Sequence, residues 1–152
     1  MSTPVEELVL SDPVRWCRRY QQLGLLVHVD YDHQRIIRPV NDFAGAVTMT
    51  GELGEKVRAR LAAADLPLAI VGHPRSQSWT FLTATHAGRY DDIDLFARLF
   101  LRNVRVAPRG GCIALPSPID EEMHWRAWVV EPSGDLPPMG LVVAATLAAV
   151  KL

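Results

Sequence analysis

The chain has 152 residues, 16 of them basic and 17 acidic, for a formal net charge of -1. Hydrophobic residues make up 49% and charged residues 22%, which excludes a disordered chain and fits one globular domain with its own core. The charge balance excludes bulk attraction to nucleic acid, so binding of that kind needs a local basic patch.

The opening MSTPVEELVLSD is acidic and lacks the basic-then-apolar pattern of a signal peptide. The closing MGLVVAATLAAVKL is apolar but shorter than the roughly 20 residues that span a bilayer. A cytoplasmic protein with no membrane partner is expected. Cys17 and Cys112 are too few for a disulfide framework or a zinc cluster, and both read as reduced core residues.

Asp12-Pro13 opens a capped helix that Gly24 ends. Val14, Cys17 and Tyr20 share one face of it. Leu25 to Val29 is a strand candidate, Asp30 to Gln34 a turn, and Arg35 to Val40 a return strand that Pro39 confines to an edge. Ala46 to Thr50 is a short strand. Thr50 caps a helix from Gly51 to Ala64, with Leu53, Val57 and Leu61 repeating every four residues. Leu68 to Val71 and Trp79 to Thr83 are strands joined by the polar loop His73 to Ser78. Thr85 to Tyr90 is loop. Asp91 or Asp92 caps a helix through Arg102, whose apolar stripe is Leu95, Phe96, Leu99 and Phe100.

Val104 and Val106 alternate with Arg105 as in a half-buried strand. Pro108-Arg109-Gly110-Gly111 has hairpin chemistry, because paired glycines accept positive φ. Cys112 to Leu115 follows as a buried strand, then a rigid loop at Pro116-Ser117-Pro118. His124, Arg126 and Trp128 alternate as in a third strand. Glu131 to Pro138 is loop, and Met139 to Val150 is a helix apolar nearly all round that packs closely on the sheet. The order of elements predicts a single α+β domain, residues 1–152, with a mixed or mostly antiparallel sheet and helices packed against it.

Three constellations are candidates for chemistry. His28, Asp30, Asp32 and His33 form H-V-D-Y-D-H. In a strand, Asp30 and Asp32 project from one face and form a carboxylate pair of the kind that holds Mg²⁺; in a turn they are merely solvated. His73, Arg75, Ser76 and Ser78 offer an imidazole, a guanidinium and two hydroxyls to a phosphate, or make an ordinary hairpin loop. Arg98, Arg102, Arg105, Arg109 and Arg126 gather in the second half. Beside Trp79, Trp125 or Trp128 they would suit a nucleic acid, whose bases stack on rings while its phosphates meet arginine. Asp120-Glu121-Glu122 would repel such a backbone, or pair with those arginines. No G-x-S-x-G, Walker loop or G-x-G-x-x-G occurs.

The run from Val104 to Pro118, followed by Trp125-Arg126-Ala127-Trp128, resembles the bifunctional DNA primase-polymerase domain of the archaeo-eukaryotic primase superfamily. There a strand with a catalytic aspartate is followed by a Gly-Gly hairpin, a strand ending in Pro-Ser, and a strand with Tyr or Trp. His73 to Phe81 resembles the family's second motif, a loop leading into a strand that carries histidine. Phe43 to Thr50 stands where its first motif ends in Asp-x-Asp. The layout is also similar to short stand-alone actinobacterial forms of the family.

The resemblance implies a primase-polymerase-like α+β fold, but the chain departs from the motifs. Thr48 and Thr50 replace the paired aspartates, Trp79 the histidine, and Arg105 the third aspartate. Two-metal transfer needs carboxylates to hold two cations about 3.5–4 Å apart. The resemblance therefore implies a catalytically degenerate domain, with no catalytic residue and no cofactor. It would act as a binding or regulatory module for a nucleic acid, nucleotide or protein, through His73, Arg75, Ser76, Trp79, Arg105, Arg109 and Arg126. Two alternatives stay open. One is an active Mg- or Mn-dependent nucleotidyl transferase using Asp30 and Asp32. The other is a protein-interaction domain, such as a homodimer joined through an edge strand.

Overall fold

A computed structural model describes residues 13–86 and 93–150. Five helices and eight strands lie among them: α1 (Pro13–Gln22), β1 (His28–Asp30), β2 (Arg35–Pro39), β3 (Gly45–Thr50), α2 (Gly51–Ala63), β4 (Ile70–His73), β5 (Ser78–Thr83), α3 (Ile93–Leu101), β6 (Arg105–Val106), β7 (Cys112–Leu115), α4 (Pro118–Glu122), β8 (Ala127–Val130) and α5 (Met139–Val150). The strands form a three-stranded sheet, β1-β2-β7, and a five-stranded sheet, β6-β3-β5-β4-β8. Every pairing is antiparallel. The α+β class expected from the sequence holds. No helix among the described residues is long and apolar enough to cross a membrane.

Each face of the larger sheet has its own core. Val47, Met49, Ile70 and Phe81 point to one side and pack with Val57 and Leu61 of α2, Leu95 and Leu99 of α3, and Met139, Val142 and Val143 of α5. Ala46, Val71 and Leu82 point to the other side and meet Cys17 and Tyr20 of α1 with Ile36 and Leu115 of the smaller sheet. Period-two alternation along β3, β4 and β5 produces this division. Gly54 lets α2 approach the sheet, because a Cβ there would lie 2.7 Å from Trp79 Cε3. Arg38, 3% exposed, staples the two sheets together. Its guanidinium donates to the carbonyls of Gly45 and Thr83, both at 2.8 Å. Burial lowers its pKa to about 10, so it remains charged at neutral pH.

Several sequence expectations are corrected. β2 is the central strand of its sheet, not an edge. Pro39 is tolerated because it is the last residue of the strand, and the next N–H, that of Val40, meets Gly111 O. The Gly-Gly turn does not close a hairpin: β6 pairs with β3 whereas β7 pairs with β2, so the turn passes the chain between sheets. Gly110, at φ 85°, supplies the left-handed residue that this requires. The loop after Pro116 begins a short helix, with Ser117 at its N-cap and a capping box to Asp120. Cys17 is buried, but Cys112 is exposed. Phe100 leaves the apolar stripe of its helix and is 66% exposed. The caps expected at Asp12 and at Asp91 or Asp92 lie outside the described residues.

Candidate binding strip on the five-stranded sheet

The face of the larger sheet opposite α2 and α5 changes character along the strands. The smaller sheet and α1 cover the half around Ala46 and Leu82. The half toward Thr50 and Ser78 is polar. Residues paired across an antiparallel ladder share a face. Arg105 is paired with Thr48, Thr48 with Thr80, and Ser78 with His73. The result is a polar strip that crosses the sheet from β6 to β4, and Arg126 precedes β8 at its far end.

Hydrogen bonds run along this strip. His73 Nε2 lies 2.8 Å from Thr80 Oγ1, which lies 2.8 Å from Thr48 Oγ1. Thr80 is buried, while Thr48 and His73 are half-buried. With Nε2 as acceptor, both hydroxyls point their protons toward His73. With Nε2 protonated, both reverse, and Thr48 presents its proton beside Arg105. Burial pushes the His73 pKa below its ordinary value; the Arg126 charge lowers it further, and Asp120 opposes them. The imidazole is therefore neutral at neutral pH.

The two ends of the strip differ. Asp120 is fully buried. Its Oδ1 accepts from Arg126 Nη1 at 2.9 Å, and its Oδ2 accepts from the Ser117 N–H at 3.2 Å. The acidic run thus contributes the pairing with arginine that was one of its two sequence readings. Arg105 is exposed and has no ion-pair partner among the described residues.

The other sequence candidates are scattered. Arg75 lies 5.8 Å from the ring centroid of Trp125 and donates to Met123 O at 3.2 Å. Ser76 is in the exposed turn, bonded to Ser78 at 2.7 Å. Trp79 faces the opposite way, against Gly54 of α2, because it neighbours Thr80 on a strand. Placing it beside Arg105 and Arg126 is therefore corrected. Trp128 is also packed inward, donating to Tyr20 Oη at 2.9 Å. Arg109 belongs to the turn between the sheets, where its Nε meets Asp42 Oδ1 at 2.7 Å and its Nη2 donates to His86 O. It stands beyond the Gly45 end of β3, away from His73.

Asp30 and Asp32 do not share a strand face, because β1 ends at Asp30 and Asp32 lies in the following turn. Asp30 Oδ2 is 2.9 Å from His33 Nδ1, and that bond lowers the carboxyl pKa. Among the described residues, no three His, Cys, Asp or Glu side chains group to hold a metal ion. The strip's own donors do not fit a divalent cation: two hydroxyls bonded to each other, an imidazole bonded to one of them, and a carboxylate already engaged by arginine and a backbone amide. Comparison with protein-family models, characterised proteins and solved structures yields no match.

Sequence reasoning missed Thr80 and the inward position of Asp120. The alternation of Ser78 and Thr80 with Trp79 and Phe81 carries the first signal. Ser117-Pro118-Ile119-Asp120 carries the second, as a helix-start pattern with proline at the first helical position.

Proposed function

We propose that this chain is a degenerate primase-polymerase-like domain that binds a nucleotide or nucleic acid through its phosphate, without metal-dependent nucleotidyl transfer. The observation that carries this reading is the exposed Arg105, without an ion-pair partner among the described residues, beside the Thr48–Thr80–His73 chain. A guanidinium with adjacent hydroxyl and imidazole groups suits a phosphate oxygen, which accepts hydrogen bonds and carries charge. The side-by-side order β6-β3-β5 brings together the strands that carry Arg105, Thr48 and Thr80, the groups this reading uses. Thr48, Thr50 and Arg105 provide no negative charge for the metals that phosphoryl transfer uses.

The test is retention of a fluorescent single-stranded oligonucleotide and of a labelled nucleotide at low salt. Arg105→Ala should weaken retention, and for the strand it should flatten the log–log salt slope by about 0.7, one single-strand phosphate contact. Primer extension or dinucleotide synthesis with Mg²⁺ or Mn²⁺ should not occur, and its appearance overturns the reading. Retention of neither ligand also overturns it and leaves a protein-interaction domain.

A further inference from the structure

A pocket of about 490 Å³ opens at the Arg105 end of the strip, with Arg105 and Thr48 in its lining. Phe96 and Phe100 of α3 form one wall, and Cys112 and Ile113 of β7 form the other. Its floor is β6, the edge strand of the larger sheet. Ala107 N–H is directed at Ala46 O. By the alternation of an antiparallel ladder, the N–H and C=O of Val106, a residue that lines the pocket, point away from β3. The pocket thus combines apolar walls, a ring face, one backbone donor and acceptor pair, and a cation and a hydroxyl at its mouth. Phe100, 66% exposed, supplies a ring that the core does not require.

We infer that this pocket receives the base and sugar of a single nucleoside phosphate, with the phosphate held at Arg105 and Thr48. This rests on the nucleotide reading above and narrows it to a free nucleotide. The base places its faces against Phe100 and Ile113 and its polar edge on the Val106 peptide. The phosphate supplies an anion that Arg105 does not find among the described residues. Two further observations favour one nucleotide over a strand. The pocket has the volume of a small-ligand site rather than a continuous groove. The chain also carries a net charge of -1, with exposed Glu121 and Glu122 on α4, which disfavours a long polyanion.

Cys112 gives a direct readout, being exposed in the pocket wall while Cys17 is buried. The experiment follows the rate of Cys112 alkylation by a maleimide in the full chain. It compares ATP, AMP, inorganic phosphate and a twelve-residue oligothymidylate. ATP and AMP should slow the reaction, and inorganic phosphate alone should not. Phe100→Ala should weaken ATP binding, measured by calorimetry, by about fivefold or more, the scale of one lost stacking contact. Phe100 is exposed, so this variant is expected to fold. If ATP binds and Arg105→Ala weakens it, but Cys112 stays unprotected and Phe100→Ala has no effect, the pocket assignment is wrong and the anion site stands. If only the oligothymidylate protects Cys112, the ligand is a strand and the inference is overturned. If neither ATP nor oligothymidylate binds, the nucleotide reading itself fails.

Discussion

Arg126 and Arg105 stand at opposite ends of one strip, yet the fold treats them differently. Arg126 is half-buried and neutralised at 2.9 Å by a carboxylate with no exposed surface. Arg105 reaches solvent without such a partner among the described residues. A charge taken out of water must be compensated inside the protein, whereas one left in water is available to a ligand. Their difference separates a guanidinium compensated inside the fold from one left open to solvent on the same sheet face. Neither role follows from arginine as a residue type; both follow from what surrounds it.

The largest expected effect lies at the paired end. Asp120→Ala leaves Arg126 uncompensated and removes the acceptor of the Ser117 N–H. It should cost about 3–5 kcal/mol in chemical denaturation. Asp120→Leu combined with Arg126→Met should recover more than half of that loss, because two apolar side chains leave no stranded charge. A cost below about 1 kcal/mol for Asp120→Ala would show that the ion pair is not structural, and the contrast with Arg105 would collapse.

The parts of this arrangement that local patterns specify were legible in the sequence. Thr50 as a cap and the spacing of Leu53, Val57 and Leu61 gave α2 nearly to the residue, and the apolar run from Met139 to Val150 gave α5. Strand partners were not legible. Paired glycines permit a reversal but do not say whether the next strand returns to the same sheet, so β6 and β7 looked like a hairpin. Trp79 looked like a ring beside the arginines until the parity of its strand was fixed by Thr80. Asp120 read as a loop charge that repels a nucleic-acid backbone or pairs with the arginines; its burial was not legible, because it depends on Arg126 and on a capping box that only the fold closes.

A smaller effect is expected at His73, between the two arginines. Its pKa is lowered in the folded state, by burial first and by Arg126 second. An unfolded histidine titrates near about 6.5. Between the folded and unfolded values, the unfolded chain binds more protons. Stability should therefore be fully present above about pH 6.5 and fall as pH drops through the folded value. Denaturation from pH 7.5 to 5 should show this loss, and His73→Gln should flatten the profile relative to the native chain. An unchanged profile would mean that His73 bears no net cost of protonation in the folded chain, against the burial and the Arg126 charge that surround it.

The smallest expected effect on stability belongs to Arg105. Its side chain is exposed, and nothing among the described residues compensates it, so Arg105→Ala should leave unfolding within about 0.5 kcal/mol of the native chain. The same substitution should reduce phosphate-dependent binding. This pairing of outcomes distinguishes the two ends of the strip more sharply than either measurement alone. Arg126→Ala should destabilise the fold, so any accompanying loss of binding is ambiguous. Arg105→Ala should change binding without changing the fold. A stability loss above about 1 kcal/mol on removing Arg105 would place it in the structural class with Arg126, and the strip would then lack a cation free to meet a ligand.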